Sequence, residues 1–189
     1  MSNETSKGYN RRLAAGYFNN YLVGRGVDIG CGADVLQILN GSVIPYDRLQ
    51  DARHEAQTMH GIESDSLDFA YSSNCLEHTN DPAEALKSWI RIVKPGGIIF
   101  FTVPDEELYE HNQWPSKFHK GHQWSFTTKK GSRLPKSIHL PSWLKQFGAE
   151  VLSIEVVDTG YDHSLGNIDQ TKTGAEAFIE IIMRKRKQT

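Results

Sequence analysis

A chain of 189 residues carries 21 Lys and Arg against 23 Asp and Glu, for a formal net charge of −2. That balance excludes the broad basic footprint of a nucleic-acid binder, and no apolar run approaches the roughly 18 residues of a membrane span. Two cysteines are too few for a disulfide framework, so one domain in a reducing compartment is expected, cytoplasmic because no secretory leader is seen.

Residues 1–8 are polar and expected to be disordered, and Arg11 to Tyr21 can form a short helix that covers a sheet. Val27-Asp28-Ile29-Gly30-Cys31-Gly32-Ala33-Asp34 then runs a short apolar strand into a glycine turn. Gly30 and Gly32 let bare backbone approach a ligand closely, and Cys31 lies between them. The third glycine of the dinucleotide fingerprint is missing, its place taken by Asp34, which is expected to cap a following helix. An acid two residues before the first glycine repels a pyrophosphate but attracts an ammonium or sulfonium group.

Ser42 to Asp47 reads as a second strand ending in an acid, placed to accept hydrogen bonds from ribose hydroxyls. The stretch from Asp47 to Leu67 has room only for an abbreviated crossover with at most a rudimentary strand. Leu67 to Ser72 alternates as a strand and opens into Ser73-Asn74-Cys75-Leu76-Glu77-His78. A helix follows, with Asp81 as N-cap, Pro82 at its first position and Ala83, Leu86, Ile90 and Val93 on one apolar face. Lys94-Pro95-Gly96-Gly97 stops it, and Ile98 to Val103 is continuously apolar, as in a strand buried on both faces. Beyond lies a long segment, 105–140, rich in His, Trp, Lys and Ser; such a length without periodicity is usually functional and here suits a lid over substrate. Pro141 to Gly148 reads as a short helix, and Val151–Val157 and Phe178–Met183 as strands, the latter antiparallel.

These pieces together resemble a class I S-adenosylmethionine-dependent methyltransferase, carried by VDIGCGAD at 27–34, Asp47, LDFAYSSNCLEH at 67–78 and IRIVKPGGIIFFTVPD at 90–105. The resemblance implies a Rossmann-like, doubly wound, mostly parallel α/β sheet of about seven strands with an antiparallel strand near one edge. It implies S-adenosylmethionine as cofactor. Asp28 would sit near the methionine ammonium, Gly30, Cys31 and Gly32 along the cofactor, Asp47 at the ribose, Glu55 and Ala56 at the adenine, and Ser73 and Asn74 under the methionine portion.

Methyl transfer is an in-line displacement, so an alcohol acceptor needs a base whereas an amine needs only to arrive unprotonated. Ser72-Ser73-Asn74-Cys75 stands where DNA-base methyltransferases carry an Asn-Pro-Pro-Tyr type motif, which argues against nucleic acid as acceptor. The 105–140 segment is similar to the substrate loop of sugar O-methyltransferases of surface-polysaccharide biosynthesis. A hydroxyl of a sugar, nucleotide sugar or glycan is therefore the expected acceptor, with His119 or His122 as base and His78 behind them. Asp105, His111, Trp114, Lys117 and Trp124 are the expected substrate contacts. His119-x-x-His122 with His111 has zinc-like spacing, but neither a cysteine nor a nearby acid completes the set, so no metal is expected. Two rival readings are a methyltransferase of a small amine or carboxylate, and a non-catalytic cofactor-binding partner of a larger enzyme.

Overall fold

The computed structural model describes residues 4–187. Its centre is a six-stranded sheet in the order β2-β1-β3-β4-β8-β7. The strands are β1 (Gly24–Ile29), β2 (Gly41–Tyr46), β3 (Leu67–Ser73), β4 (Val93–Pro104), β7 (Ala149–Val157) and β8 (Phe178–Lys185). The first four run parallel, and β8 lies antiparallel between β4 and β7. A short parallel pair, β5 (Ser125–Thr127) with β6 (Ser137–His139), sits in the connection after β4. The carboxyl ends of β1 to β4 thus share one edge, where open α/β sheets take their ligands.

Each face of the sheet has its own apolar cover. On one, α2 (Tyr9–Ala14) and α3 (Tyr17–Asn20) bring Phe18 and Leu22 against Phe69, Tyr71 and Phe100. On the other, Leu86, Trp89 and Ile90 of α4 (Pro82–Ile92) pack with Val27, Ala70 and Phe101. Helix α4 starts as its sequence requires, with the Asp81 carboxylate accepting from the N–H groups of Ala83 (2.9 Å) and Glu84 (3.1 Å).

The N-terminal cover is also fastened by charge. The Arg12 guanidinium is fully buried and donates to Glu180 at 3.0 Å and to the Tyr71 hydroxyl at 2.8 Å. Arg11 donates to the same Glu180 at 2.8 Å and to Glu176 at 3.1 Å. Burial alone raises a carboxyl pKa, but the two guanidinium groups more than offset it, and Glu180 is held below the usual carboxylate range.

The sequence expectations need amendment in four places. No strand forms between Asp47 and Leu67 among the described residues; turns fill the stretch, so β2 is the edge and the sheet has six strands. No helix forms between β1 and β2, and Asp34 caps nothing. Its carboxylate instead accepts from the backbone N–H (2.9 Å) and the hydroxyl of Ser6. The helix expected from Arg11 to Tyr21 is split at Gly16, whose φ of 76° lies in the left-handed region. Finally, Glu4–Lys7 of the segment expected to be disordered form a helical turn, α1, with Thr5 buried; residues 1–3 lie outside the described residues.

Candidate active site

At the carboxyl edge of the sheet, the turn after β1 is held by two carboxylates. Asp28 is fully buried, and one of its oxygens accepts from the Leu36 N–H at 2.7 Å while the other has no partner. Burial pushes its carboxyl up to about 8. Asp47, just beyond β2, accepts from the N–H groups of Gly32 (3.2 Å) and Leu49 (2.8 Å). Gly30 and Gly32 have different duties. A Cβ on Gly30 would lie 2.5 Å from the Cys75 sulfur, so close packing by itself requires a glycine here. A Cβ on Gly32 would meet nothing within 4 Å, so here bare backbone borders open space. Burial pushes the Cys31 thiol up to about 12, and the Cys75 thiol is raised for the same reason; both are inert neutral groups.

A raised carboxyl pKa has a thermodynamic consequence. Between the ordinary Asp value and about 8, the folded chain keeps a proton at Asp28 that the unfolded chain has lost. Stability therefore falls as pH rises through that window. Asp28→Asn is expected to flatten the decline from pH 5 to pH 8 by on the order of 1–3 kcal/mol, as measured by urea denaturation of the ligand-free protein. An unchanged pH profile would show that Asp28 is ionised throughout.

A cavity of about 770 Å³ opens beyond Ser6, which lines it and whose backbone N–H donates to Asp34 after the turn. Its walls come from α1 (Glu4, Ser6, Lys7), the loop after β3 (Asn74, Glu77, His78), the 105–140 segment (Tyr109, Phe118, His119, His122) and the 169–174 turn. Asn74 lies next to Thr102, whose hydroxyl donates to the Asn74 side-chain oxygen at 3.0 Å. Lys7 reaches from Glu4 (2.9 Å) to the Thr171 carbonyl (3.1 Å), joining two of the walls.

The three candidate base histidines meet on this wall. Ring centroids lie 4.8 Å apart for His78 and His119, 4.9 Å for His78 and His122, and 4.7 Å for His119 and His122. His122 is buried, and its Nδ1 lies 2.6 Å from a Glu110 carboxylate oxygen. A carboxylate only accepts, so the proton sits on Nδ1 and Nε2 carries a free lone pair. His78 Nδ1 donates in the same way to the Gly121 carbonyl at 3.1 Å. Burial pulls the His78 pKa down to about 4, and the His119 pKa falls through burial and the nearness of His122. Behind them Glu77 is 1% exposed and neither of its oxygens has a hydrogen-bond partner. Burial pushes its carboxyl up to about 7, with His122 opposing.

Glu77 and Glu110 escaped the sequence reading, although each stands beside a histidine in the chain. The expected substrate contacts fare differently. Asp105 is buried and caps its own loop, accepting from Glu107 (2.9 Å) and Leu108 (3.0 Å). Trp124 donates its indole N–H to the Thr79 carbonyl at 2.9 Å and packs on the core. His111 and Lys117 tie to the carbonyls of Ile168 (3.3 Å) and Asn167 (3.2 Å). Trp114, half-buried, is likewise absent from the cavity wall. These five residues therefore build the segment that presents the histidines, a task that residue type alone does not separate from substrate binding. Among the expected cofactor residues, the Glu55 side chain pairs with Arg48, and the Ala56 carbonyl accepts from the Trp89 indole at 2.8 Å. Ser73 lies 3.3 Å from the Thr102 hydroxyl.

The arrangement suits a cationic nucleoside-type ligand at the turn and a polar acceptor in the cavity. Residues 4–154 match the family model described as a methyltransferase domain. The chain belongs to that family. It is 29% identical over 98 residues to a ubiquinone biosynthesis O-methyltransferase of Saccharophagus degradans, a match covering 40% of this chain and 42% of that relative's length. Among solved structures, it shares its fold with an S-adenosylmethionine-dependent methyltransferase of Mesorhizobium loti (TM-score 0.59, 15% identity, 95% of this chain and 98% of the other). One of Thermotoga maritima has TM-score 0.53 at 22% identity, over 97% and 98% of the two chains. The [4+2]-cyclase SpnF has the fold as well (TM-score 0.59, 16% identity, 94% and 81%).

S-Adenosylmethionine fits what the turn offers. The open oxygen of buried Asp28 offers an acceptor to a cationic ligand, whose charge would draw the proton off the carboxyl, and the backbone at Gly32 leaves space that a Cβ would fill.

Proposed function

We propose that the chain methylates a hydroxyl of a small polar acceptor, a sugar, nucleotide sugar or glycan, and that the histidine cluster activates that hydroxyl. The observation that carries this reading is the His122–Glu110 pair on the cavity wall, 2.6 Å apart. When bound, S-adenosylmethionine supplies an electrophilic methyl group on a positively charged sulfur. Everything else falls to the protein. Asp47 holds the ribose, the Gly30–Gly32 turn with Cys31 lies along the cofactor, Asp28 sits near its ammonium, and Ser73 and Asn74 lie under its methionine portion. Glu55 and Ala56 flank the adenine.

An alcohol is a poor nucleophile until a base takes its proton. Glu110 fixes the ring of His122 and leaves Nε2 to accept the proton; the imidazolium that forms is stabilised by the same carboxylate. His78, kept neutral by burial, adds no competing positive charge near pH 7. Tyr109 and Phe118 give the cavity flat faces on which a ring can lie, and Lys172 and Asp169 give it polar partners for hydroxyls. The 105–140 segment forms the acceptor wall. We place this chemistry in the cytoplasm and within one domain.

Labelled S-adenosylmethionine offered with nucleotide sugars, simple glycosides, catechols and small amines tests the reading. Label in an O-methyl sugar is the expected result. Transfer to a catechol in place of sugars overturns the sugar acceptor but keeps the need for a base, and transfer to amines alone removes that need and overturns the proposal. Asp47→Ala is expected to weaken S-adenosylmethionine binding by about 1–3 kcal/mol, the cost of losing a charged acceptor of ligand hydrogen bonds. Calorimetry giving the wild-type affinity would free Asp47 from the ribose role.

A further inference from the structure

We propose that His78, His119 and His122, backed by Glu77, form a binding site for one divalent ion of the zinc class. The proposal rests on the reading of this cluster as the place where the acceptor oxygen is activated, and deepens it by naming the group that meets that oxygen.

Three observations carry it. One potential ligand atom from each histidine lies within 4.8 Å of the others. Two of the three rings are already oriented as metal ligands commonly are: His122 Nδ1 is tied to the Glu110 carboxylate at 2.6 Å and His78 Nδ1 to the Gly121 carbonyl at 3.1 Å. Each thereby turns an unprotonated Nε2 inward, with its outer partner fixing the tautomer. Glu77 is the most telling residue. It is 1% exposed, both of its oxygens lack hydrogen-bond partners, and its Oε1 lies 3.9 Å from His78 Nε2 and 4.0 Å from His122 Nε2. A buried carboxylate with nothing to accept from is costly, and an ion between it and the two imidazoles removes the cost. Three nitrogens and one carboxylate oxygen suit zinc and the neighbouring divalent transition metals far better than magnesium or calcium.

The separations are wider than the roughly 3.3 Å edge of a tetrahedral set built on bonds of about 2.0–2.1 Å. The side chains must therefore draw inward by up to about an ångström as the ion binds. His119 is exposed and best able to move, but its Nδ1 accepts from the Gly121 N–H at 3.2 Å, a bond that ligation must break. His119 is accordingly the weakest of the three ligands. The site also opens onto the cavity, so an acceptor hydroxyl can join the ion as a fifth ligand and lose its proton to solvent at the exposed edge of His119. In that state His122 is a ligand and the ion, not its Nε2, meets the oxygen.

Tag-free protein, stripped with chelator and dialysed, is titrated with Zn²⁺ by calorimetry and with Co²⁺ by visible absorption. One saturable equivalent is expected, with the Co²⁺ band of a low-coordinate, nitrogen-rich site. His78→Ala and His122→Ala each lower affinity by about 100-fold or more, Glu110→Gln by about 10- to 100-fold, and His119→Ala by the least. Circular dichroism checks folding, and His122→Gln stands in should the alanine variant fail to fold. No saturable binding by the wild type, or binding that the His78/His122 double variant retains within about threefold, overturns the site. The two proposals fail separately. Absent metal binding with a catalytically dead His122→Ala leaves the general-base reading intact. Stoichiometric binding with full turnover in His122→Ala keeps the ion but removes this cluster from catalysis.

Discussion

His122→Ala is expected to lower kcat by about 10²–10⁴-fold, the usual loss when a positioned base is removed. S-Adenosylmethionine affinity should stay close to wild type, because the cofactor turn and the histidine cluster draw on different residues. Rapid-quench turnover at saturating cofactor, with calorimetry of cofactor binding, separates the two quantities. Glu110→Gln provides the finer test. Glu110 touches the ring and not the acceptor, so it is a positioning residue whose loss should lower kcat without raising KM, and by less than the loss of the imidazole. Full turnover in His122→Ala would move the base role to His78 or His119 or make an amine the better acceptor.

The fold was largely legible because its signals are local and strong. Asp81-Pro82 starts α4 where the cap chemistry says it must, and the apolar runs at β1, β3 and β4 can be buried only in the middle of a sheet. The antiparallel placing of β8 beside β7 also followed. What failed was elements that depend on chain length against neighbours. The Asp47–Leu67 stretch lacks an apolar run long enough for an edge strand, and the link from β1 to β2 is too short for a helix, so Asp34 turned to Ser6 instead. The three histidines were picked from residue type and position after β3 and β4, and the structure brings them together. The carboxylates beside them stay hidden, since Glu77 and Glu110 read in sequence as ordinary charged neighbours. Only burial, at 1% exposure for each, marks them out. The same blindness worked in reverse for Trp124 and Lys117, whose polar tips are spent on backbone carbonyls.

Arg12→Ala is expected to destabilise the fold by about 3–5 kcal/mol, the range for breaking a buried ion pair by removing one partner. The guanidinium lies 5.5 Å from the Tyr71 ring centroid and 5.3 Å from that of Phe100, so its plane packs as well as pairs. Removing it leaves Glu180, itself 2% exposed, with Arg11 alone, and the Tyr71 hydroxyl without that donor. Chemical denaturation at pH 7 measures the loss. The stability this network adds is present above the ordinary Glu pKa and disappears as pH falls through the depressed value of Glu180. The wild type should therefore lose stability on acidification below about pH 4.5, and Arg12→Ala should lose less of it. Pairing Arg12→Leu with Glu180→Leu is expected to recover much of the loss, because a well-filled apolar contact matches a buried ion pair that no longer has to be desolvated. A single Arg12→Ala variant as stable as wild type would mean that Arg11 satisfies Glu180 alone. The N-terminal cover would then be held to the sheet by Phe18, Leu22 and the Arg11–Glu180 pair, with no need of the buried Arg12 charge.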